Sequence, residues 1–306
     1  MARRSALVGA GLVGSAASSS ALLGLAAARG WAAGPDGTVR PPFIEVDIGS
    51  DVGRTASPTV PTVLGGANVR AALFRIAATT AAIVRGGAIP IVVGGDCSVL
   101  PAALAGVLDG NSSRDRLGLL SFDAYAEFHT PASSTSRDFA GMAFAACVGH
   151  GDLAFTRLAR DRFPLVEEAD AVRIGTRSID DGERSLKARS RVTWIPWSPG
   201  PLGPTVASLS TAMGVRAARI RSWVVHLSAS ALDRTQFTGT AMDAGPGGFR
   251  TEEIDRLSDT ARASIDSAQG SIVGGVLAGF APDGELARRE FERRLEALVR
   301  LVEGRP

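Results

Sequence analysis

Short apolar runs alternate with stretches of helical periodicity along almost the whole chain. The runs at Ala6–Gly11, Phe43–Asp47, Ala88–Val93, Leu117–Phe122, Ala171–Ile174, Trp223–Leu227 and Gly270–Ala278 predict strands. Between them, Asn68–Arg85, Val99–Leu108, Phe139–Val148, Pro204–Met213, Arg250–Gln269 and Gly284–Glu303 place apolar residues at helical spacing. Strand and helix in alternation is the pattern of βαβ units, and so of an α/β fold with a mainly parallel sheet. Most of the strands lack an apolar/polar alternation. Parallel strands covered by helices on both faces have that property, because neither face meets water. The proline-containing segment 40–64 reads as a loop-rich connection near the sheet's carboxyl edge. At 306 residues the chain fits one large core, and a single domain over 1–306 is expected, with short loose ends at about 1–4 and 304–306.

Composition changes this picture little. The net charge is +2 with both signs interspersed, which gives no basic face for nucleic acid. Lys187 is the only lysine, a bias of composition. Cys97 and Cys147 are too few for a disulfide framework, and no CxxC spacing suggests structural zinc. The beginning has two readings. Arg3-Arg4 followed by an apolar stretch to Ala28 resembles a twin-arginine export signal. Alternatively, Ser5–Gly11 is the first strand and Ala21–Ala28 a helix. Element lengths favour the second, which predicts a cytoplasmic protein with no membrane partner.

The strand ends carry a series of motifs in order. Gly94-Gly95-Asp96-Cys97-Ser98 follows one apolar run, and Asp123-Ala124-Tyr125-Ala126-Glu127-Phe128-His129 follows the next. Thr130-Pro131 leads to Ser136 and on to Ala140-Gly141-Met142; Ile174-Gly175 leads to Asp180 and Glu183. His226-Leu227-Ser228-Ala229-Ser230 precedes Asp233-Arg234, and Val276 to Pro282 closes the series. Together, over roughly residues 5–300, they resemble the ureohydrolase family of arginase, agmatinase and formimidoylglutamase. The resemblance implies a three-layer α/β/α arginase-like fold and a trimer or hexamer. It also implies hydrolysis of guanidinium or amidine groups by water held between two Mn²⁺ ions. The positions it assigns to metal ligands are occupied here by Cys97, Asp123, Tyr125, Glu127, Ser228 and Ser230. Ala140 stands at the position of a proton-shuttling His, and Gly279 at that of a Glu that pairs with guanidinium.

Two hard divalent ions need several anionic ligands, and neutral hydroxyls replace bridging carboxylates poorly. The expectation is therefore no bound metal and no cofactor. One alternative remains, a single thiolate-favouring ion on Cys97, Asp123, Glu127 and His129. Drift after loss of function should fill the former metal cavity with small apolar side chains, since unsatisfied buried polar groups are costly. This chain instead gathers Cys97, Asp123, Tyr125, Glu127, His129, Ser228 and Ser230, and Tyr125 is its only tyrosine. Each also has a plain structural reading. The two serines can satisfy each other, Cys97 can pack as a small apolar residue, and Asp123 can accept backbone bonds as Asp96 is expected to. His226 and His150 read as structural or exposed.

If the site is active, Asp123 beside Glu127 raises at least one carboxyl pKa and sets an acid next to a base. Tyr125 is then a second proton donor and His129 a base or orienting group. Cys97 is a weaker candidate nucleophile. Ser136, Asp180, Glu183, Ser228 and Ser230 are the candidate substrate contacts, suited to a cationic or amino-bearing small molecule. The expected function is a metal-independent acid/base enzyme (isomerisation, dehydration, cyclisation or hydrolysis) on a small polar molecule. The alternatives are a non-catalytic subunit paired with an active ureohydrolase and an amidinohydrolase with one atypical metal.

Overall fold

The computed structural model describes residues 5–10, 43–46, 63, 66–111, 115–237, 239–240, 242–281 and 284–304. Within them an eight-stranded sheet runs in the order β2-β1-β3-β8-β7-β4-β5-β6. Its strands are β1 (Ser5–Ala10), β2 (Phe43–Val46), β3 (Ile89–Gly94), β4 (Leu117–Phe122), β5 (Ala171–Ile174), β6 (Thr193–Ile195), β7 (Ser222–Ser228) and β8 (Ser271–Ala278). Every pairing is parallel. The longer helices are α1 (Gly66–Arg85), α2 (Val99–Gly110), α3 (Asp181–Arg189), α4 (Gly203–Ala217), α5 (Thr251–Ser267) and α6 (Gly284–Glu303).

Two apolar layers cover the sheet. One face, through Leu119, Val224, Val276 and Val92, packs on α1, α2 and residues 139–148. The other, through Leu120, Phe122, Val225 and Leu277, packs on α4, α5 and α6. α1 is long and apolar enough to cross a membrane by length and composition alone. Its stripe Val69, Leu73, Ile76, Ala77 and Thr80 is instead buried at the spacing of one helix face. In the middle of the sheet, Trp223 on β7 is fully buried with its indole against β4. A Cβ on Gly118 would come within 2.5 Å of that ring, so glycine at this position is what admits it.

The expected strands and helices agree with these elements to within a few residues, with some differences. β6 was not foreseen, because three residues are too short to show a period. α3 was not foreseen either. Only Glu183 of it is buried, so it carries no apolar stripe. The helix expected over Phe139–Val148 is a 3₁₀ turn, Phe139–Met142, joined to a short helix, Ala143–Cys147. The helix expected at Ala21–Ala28 lies outside the described residues.

One feature breaks the apolar rule of a parallel sheet. Arg173, Ser121 and His226 are Cα partners across β5, β4 and β7, and all three are fully buried. This polar row lies one side chain below the strand ends, on the face that packs α1 and α2.

Candidate functional site

β3, β4, β5, β7 and β8 deliver their following loops to one place. There a cavity of about 290 Å³ is lined by Cys97, Tyr125, Glu127, His129, Ser136, Asp180, Glu183, Ser228, Ser230 and Gly279, among others. Asp96 and Asp138 also line it, and among the described residues no Lys or Arg does. All the candidate residues read from the sequence therefore converge, with Asp123 fully buried directly behind the wall. A larger depression of about 580 Å³ lies on the other face, between α5 and α6. Its most buried charged groups are already paired, Arg294 with Asp255 and Arg262 with Asp266.

Asp123 anchors the site. Its Oδ1 accepts the Ser230 hydroxyl at 2.6 Å and the Tyr125 N–H at 2.9 Å. Its Oδ2 accepts the Cys97 thiol at 3.4 Å and lies 3.2 Å from Arg173 Nη2. Ser228 and Ser230 are 2.9 Å apart at their hydroxyls, so they satisfy each other as well as the carboxylate. Burial alone would raise the Asp123 pKa. The Arg173 guanidinium, with the Ser230 and Tyr125 bonds, outweighs it and holds the carboxyl below its ordinary value.

Glu127 behaves oppositely. It is 7 % exposed, faces the cavity, and has its Oε2 2.9 Å from Arg173 Nη2. Burial first, and the charge of Asp123 second, push its pKa from 4.5 to about 8. At neutral pH it is a protonated acid. Its backbone has φ of +50°, a left-handed conformation that costs energy for a residue with a side chain and gathers at functional sites.

Arg173 was not singled out from the sequence. Its Nε and Nη2 donate to the Tyr125 carbonyl at 3.2 and 2.8 Å, and its Nη1 donates to Ser121 Oγ at 2.6 Å. The guanidinium also stacks over Phe144, 4.5 Å from the ring centroid. Arginine has no acceptor, so the Ser121 oxygen accepts in the bond from Nη1. Ser121 Oγ lies 2.8 Å from His226 Nδ1, a hydrogen bond in which either atom can be the donor. His226 is fully buried, and burial pushes its pKa down to about 3, so it is neutral. Its Nε2 has no hydrogen-bond partner among the described residues.

The remaining candidates divide by role. The Cys97 thiol is pushed well above its ordinary pKa, by burial and then by Glu127 and Asp123, and is therefore no thiolate. Burial, then Asp123, raises the Tyr125 phenol, which stays a donor. His129 has both ring nitrogens engaged, Nδ1 with Ser133 Oγ at 3.0 Å and Nε2 with Asp180 Oδ2 at 3.2 Å. Gly182 allows this seat, since a Cβ there would lie 2.9 Å from His129 Cε1. Ser136, on the exposed rim, accepts the Asp138 N–H at 3.2 Å. Glu183 was read as a substrate contact. Its two oxygens accept the N–H groups of Phe128, at 2.6 Å, and Asp180, at 2.9 Å, so it builds the wall and caps α3. Asp96 accepts the Ser98 N–H at 2.8 Å, the backbone role expected of it.

Among the described residues two groups bring potential metal donors within 4.8 Å of one another: Cys97, Asp123 and His226, and His129, Asp180 and Glu183. In the first, Asp123 Oδ2 is already shared between Cys97 and Arg173. In the second, Glu183 is taken by backbone.

A model of the arginase family matches residues 44–268. Curated relatives include an arginase of Bacillus caldovelox, 36% identical over 112 residues, which is 37% of this chain and 36% of that one. An arginase of Brevibacillus brevis is 34% identical over 115 residues, 38% of this chain and 37% of the relative. The chain thus matches little more than a third of the length of these relatives. Solved structures agree over nearly the whole fold. The native arginase from Bacillus caldovelox superposes with a TM-score of 0.76 at 20% identity, covering 97% of this chain and 98% of that chain. Formimidoylglutamase from Bacillus subtilis gives 0.67 at 15% identity, covering 99% and 88%. With this sheet order, these motifs at the strand ends and a family match over most of its length, the chain belongs to the arginase family.

Proposed function

We propose that this protein is a metal-independent acid/base enzyme acting on a small, amino-bearing polar molecule. The observation that carries the reading is the carboxyl pair, with Glu127 held protonated at the cavity wall and Asp123 held ionised behind it. Two neighbouring carboxyls with pKa values driven apart supply a general acid and a fixed negative charge at the same pH. Glu127 would give its proton to a leaving oxygen or nitrogen, or to a developing carbanion. Asp123 would hold Tyr125 and Ser230 in place. The Tyr125 phenol is the second donor. The acidic rim of Asp138 and Asp180, with no Lys or Arg among the described lining residues, favours an amine at the mouth.

The two Mn²⁺ ions implied by the family do not fit this donor set. The bridging positions hold serine hydroxyls bonded to each other. Both remaining carboxyl groups already face the Arg173 guanidinium, at 3.2 and 2.9 Å. Arginase or other ureohydrolase activity is therefore not carried over from the relatives. A homo-oligomer (trimer or hexamer) and a cytoplasmic location belong to the same reading.

The test is a panel of small amines, amino acids and amidines, incubated with chelator-treated protein and followed by mass spectrometry. Turnover that persists in chelator and disappears in Glu127→Gln is the expected result. Turnover seen only when a divalent ion is restored would overturn the proposal, as would a panel with no turnover at all.

A further inference from the structure

We propose that the guanidinium of Arg173 is the resident cation of this site, a side chain that binds Asp123 and Glu127 together and closes their position to a divalent metal. This goes beyond the acid/base reading, and its test measures no turnover, so either can fail without the other.

The argument starts from cost. A charge taken out of water is strongly disfavoured unless it is paired and its hydrogen bonds are filled. Arg173 is 0 % exposed on a four-residue strand whose other members are apolar. Drift would not be expected to place a guanidinium there, and nothing in the strand satisfies it. What satisfies it comes from outside β5: the Asp123 carboxylate, the Glu127 carboxyl, the Tyr125 carbonyl, the Ser121 hydroxyl and the face of Phe144. Each side of the planar fork meets a partner, which lysine's point charge does not reproduce.

The converse also holds. Asp123 and Glu127, 0 % and 7 % exposed, would repel each other at low dielectric whenever both were ionised without a cation between them. The single Nη2 lies within 3.2 Å of an oxygen of each. A metal at this point would face a fixed positive charge on the same two oxygens. A metal on Cys97, Asp123 and His226 would have to share Asp123 Oδ2 with it as well. Both potential metal positions that use Asp123 are therefore governed by one residue.

The experiment is thermal unfolding of wild type, Arg173→Lys and Arg173→Ala, each with no addition, with Mn²⁺, with Zn²⁺, or with millimolar guanidinium. Wild type should show no rise in Tm with either metal. Arg173→Ala should melt on the order of 10 °C lower. It should recover several degrees with guanidinium, which refills the vacated place, or with a divalent ion, which the place now admits. Arg173→Lys should lie between the two. A wild-type Tm that climbs with Mn²⁺ or Zn²⁺ would overturn the inference. So would an Arg173→Ala protein as stable as wild type, or one that no cation rescues. Should Arg173→Ala not fold, the neutral triple variant Asp123→Asn/Glu127→Gln/Arg173→Met decides. It folds if Arg173 serves to balance these two carboxyls; if it does not fold, the inference is wrong.

Discussion

Glu127→Gln should lower kcat by about 10²- to 10⁴-fold at neutral pH, the range for loss of a positioned general acid. The wild-type rate should have a limb of its own. The Glu127 pKa is raised from 4.5 to about 8 by burial and by Asp123, so the acid is present below that pH and lost above it. The rate is therefore level on the acid side and falls as pH rises through about 8. In Glu127→Gln the residual rate should lack this limb. A pH profile of kcat for both proteins, on the substrate found in the panel, reads both effects. A limb that survives unchanged in Glu127→Gln would assign the proton to another group, with Tyr125 the first to test.

Asp123→Ala should be among the most destabilising single changes in the molecule, at about 3–5 kcal/mol, the cost of removing one partner from a buried ion pair. The loss leaves Arg173 facing Glu127 alone and strands the Ser230 hydroxyl and the Tyr125 N–H, which both point at Asp123 Oδ1. Asp123→Asn keeps an acceptor in place and should cost less. It should also act on catalysis in a defined direction. The Asp123 charge is the second cause of the raised Glu127 pKa, so its removal moves the Glu127 limb to lower pH. Urea unfolding measures the stability, and the kcat profile measures the limb. An Asp123→Ala protein within about 1 kcal/mol of wild type would mean that the pair is not held as tightly as the geometry has it.

The fold was readable in the sequence because its strands are buried on both faces and so appear as plain apolar runs. β3, β4 and β5 could be bounded nearly to the residue. β6 and α3 could not, since one is three residues long and the other buries only a capping glutamate. The cavity residues were readable because each stands at a motif position after a strand. What they do there was less so. Glu183 has the right address for a substrate contact, but only the folded backbone reveals that both oxygens are already used. His226 was read as structural or exposed. It is buried and neutral, in a hydrogen-bonded row that no local pattern announces. Arg173 was the largest omission. Its partners lie on other elements and are brought to it by the pairing of β5 with β4. A signal was present all the same. In Ala171-Val172-Arg173-Ile174 a full charge interrupts a buried parallel strand, and such a break in pattern calls for a partner within the core.

That partner set bears on the central claim, that an arginase-family scaffold here works without the family's metal. The most direct measurement is the metal content of the purified protein by ICP-MS, after incubation with Mn²⁺ and, separately, Zn²⁺ and removal of free ion. The expected content is far below one ion per chain under both conditions. Near-stoichiometric manganese or zinc would contradict the account and return the site to metal-assisted hydrolysis.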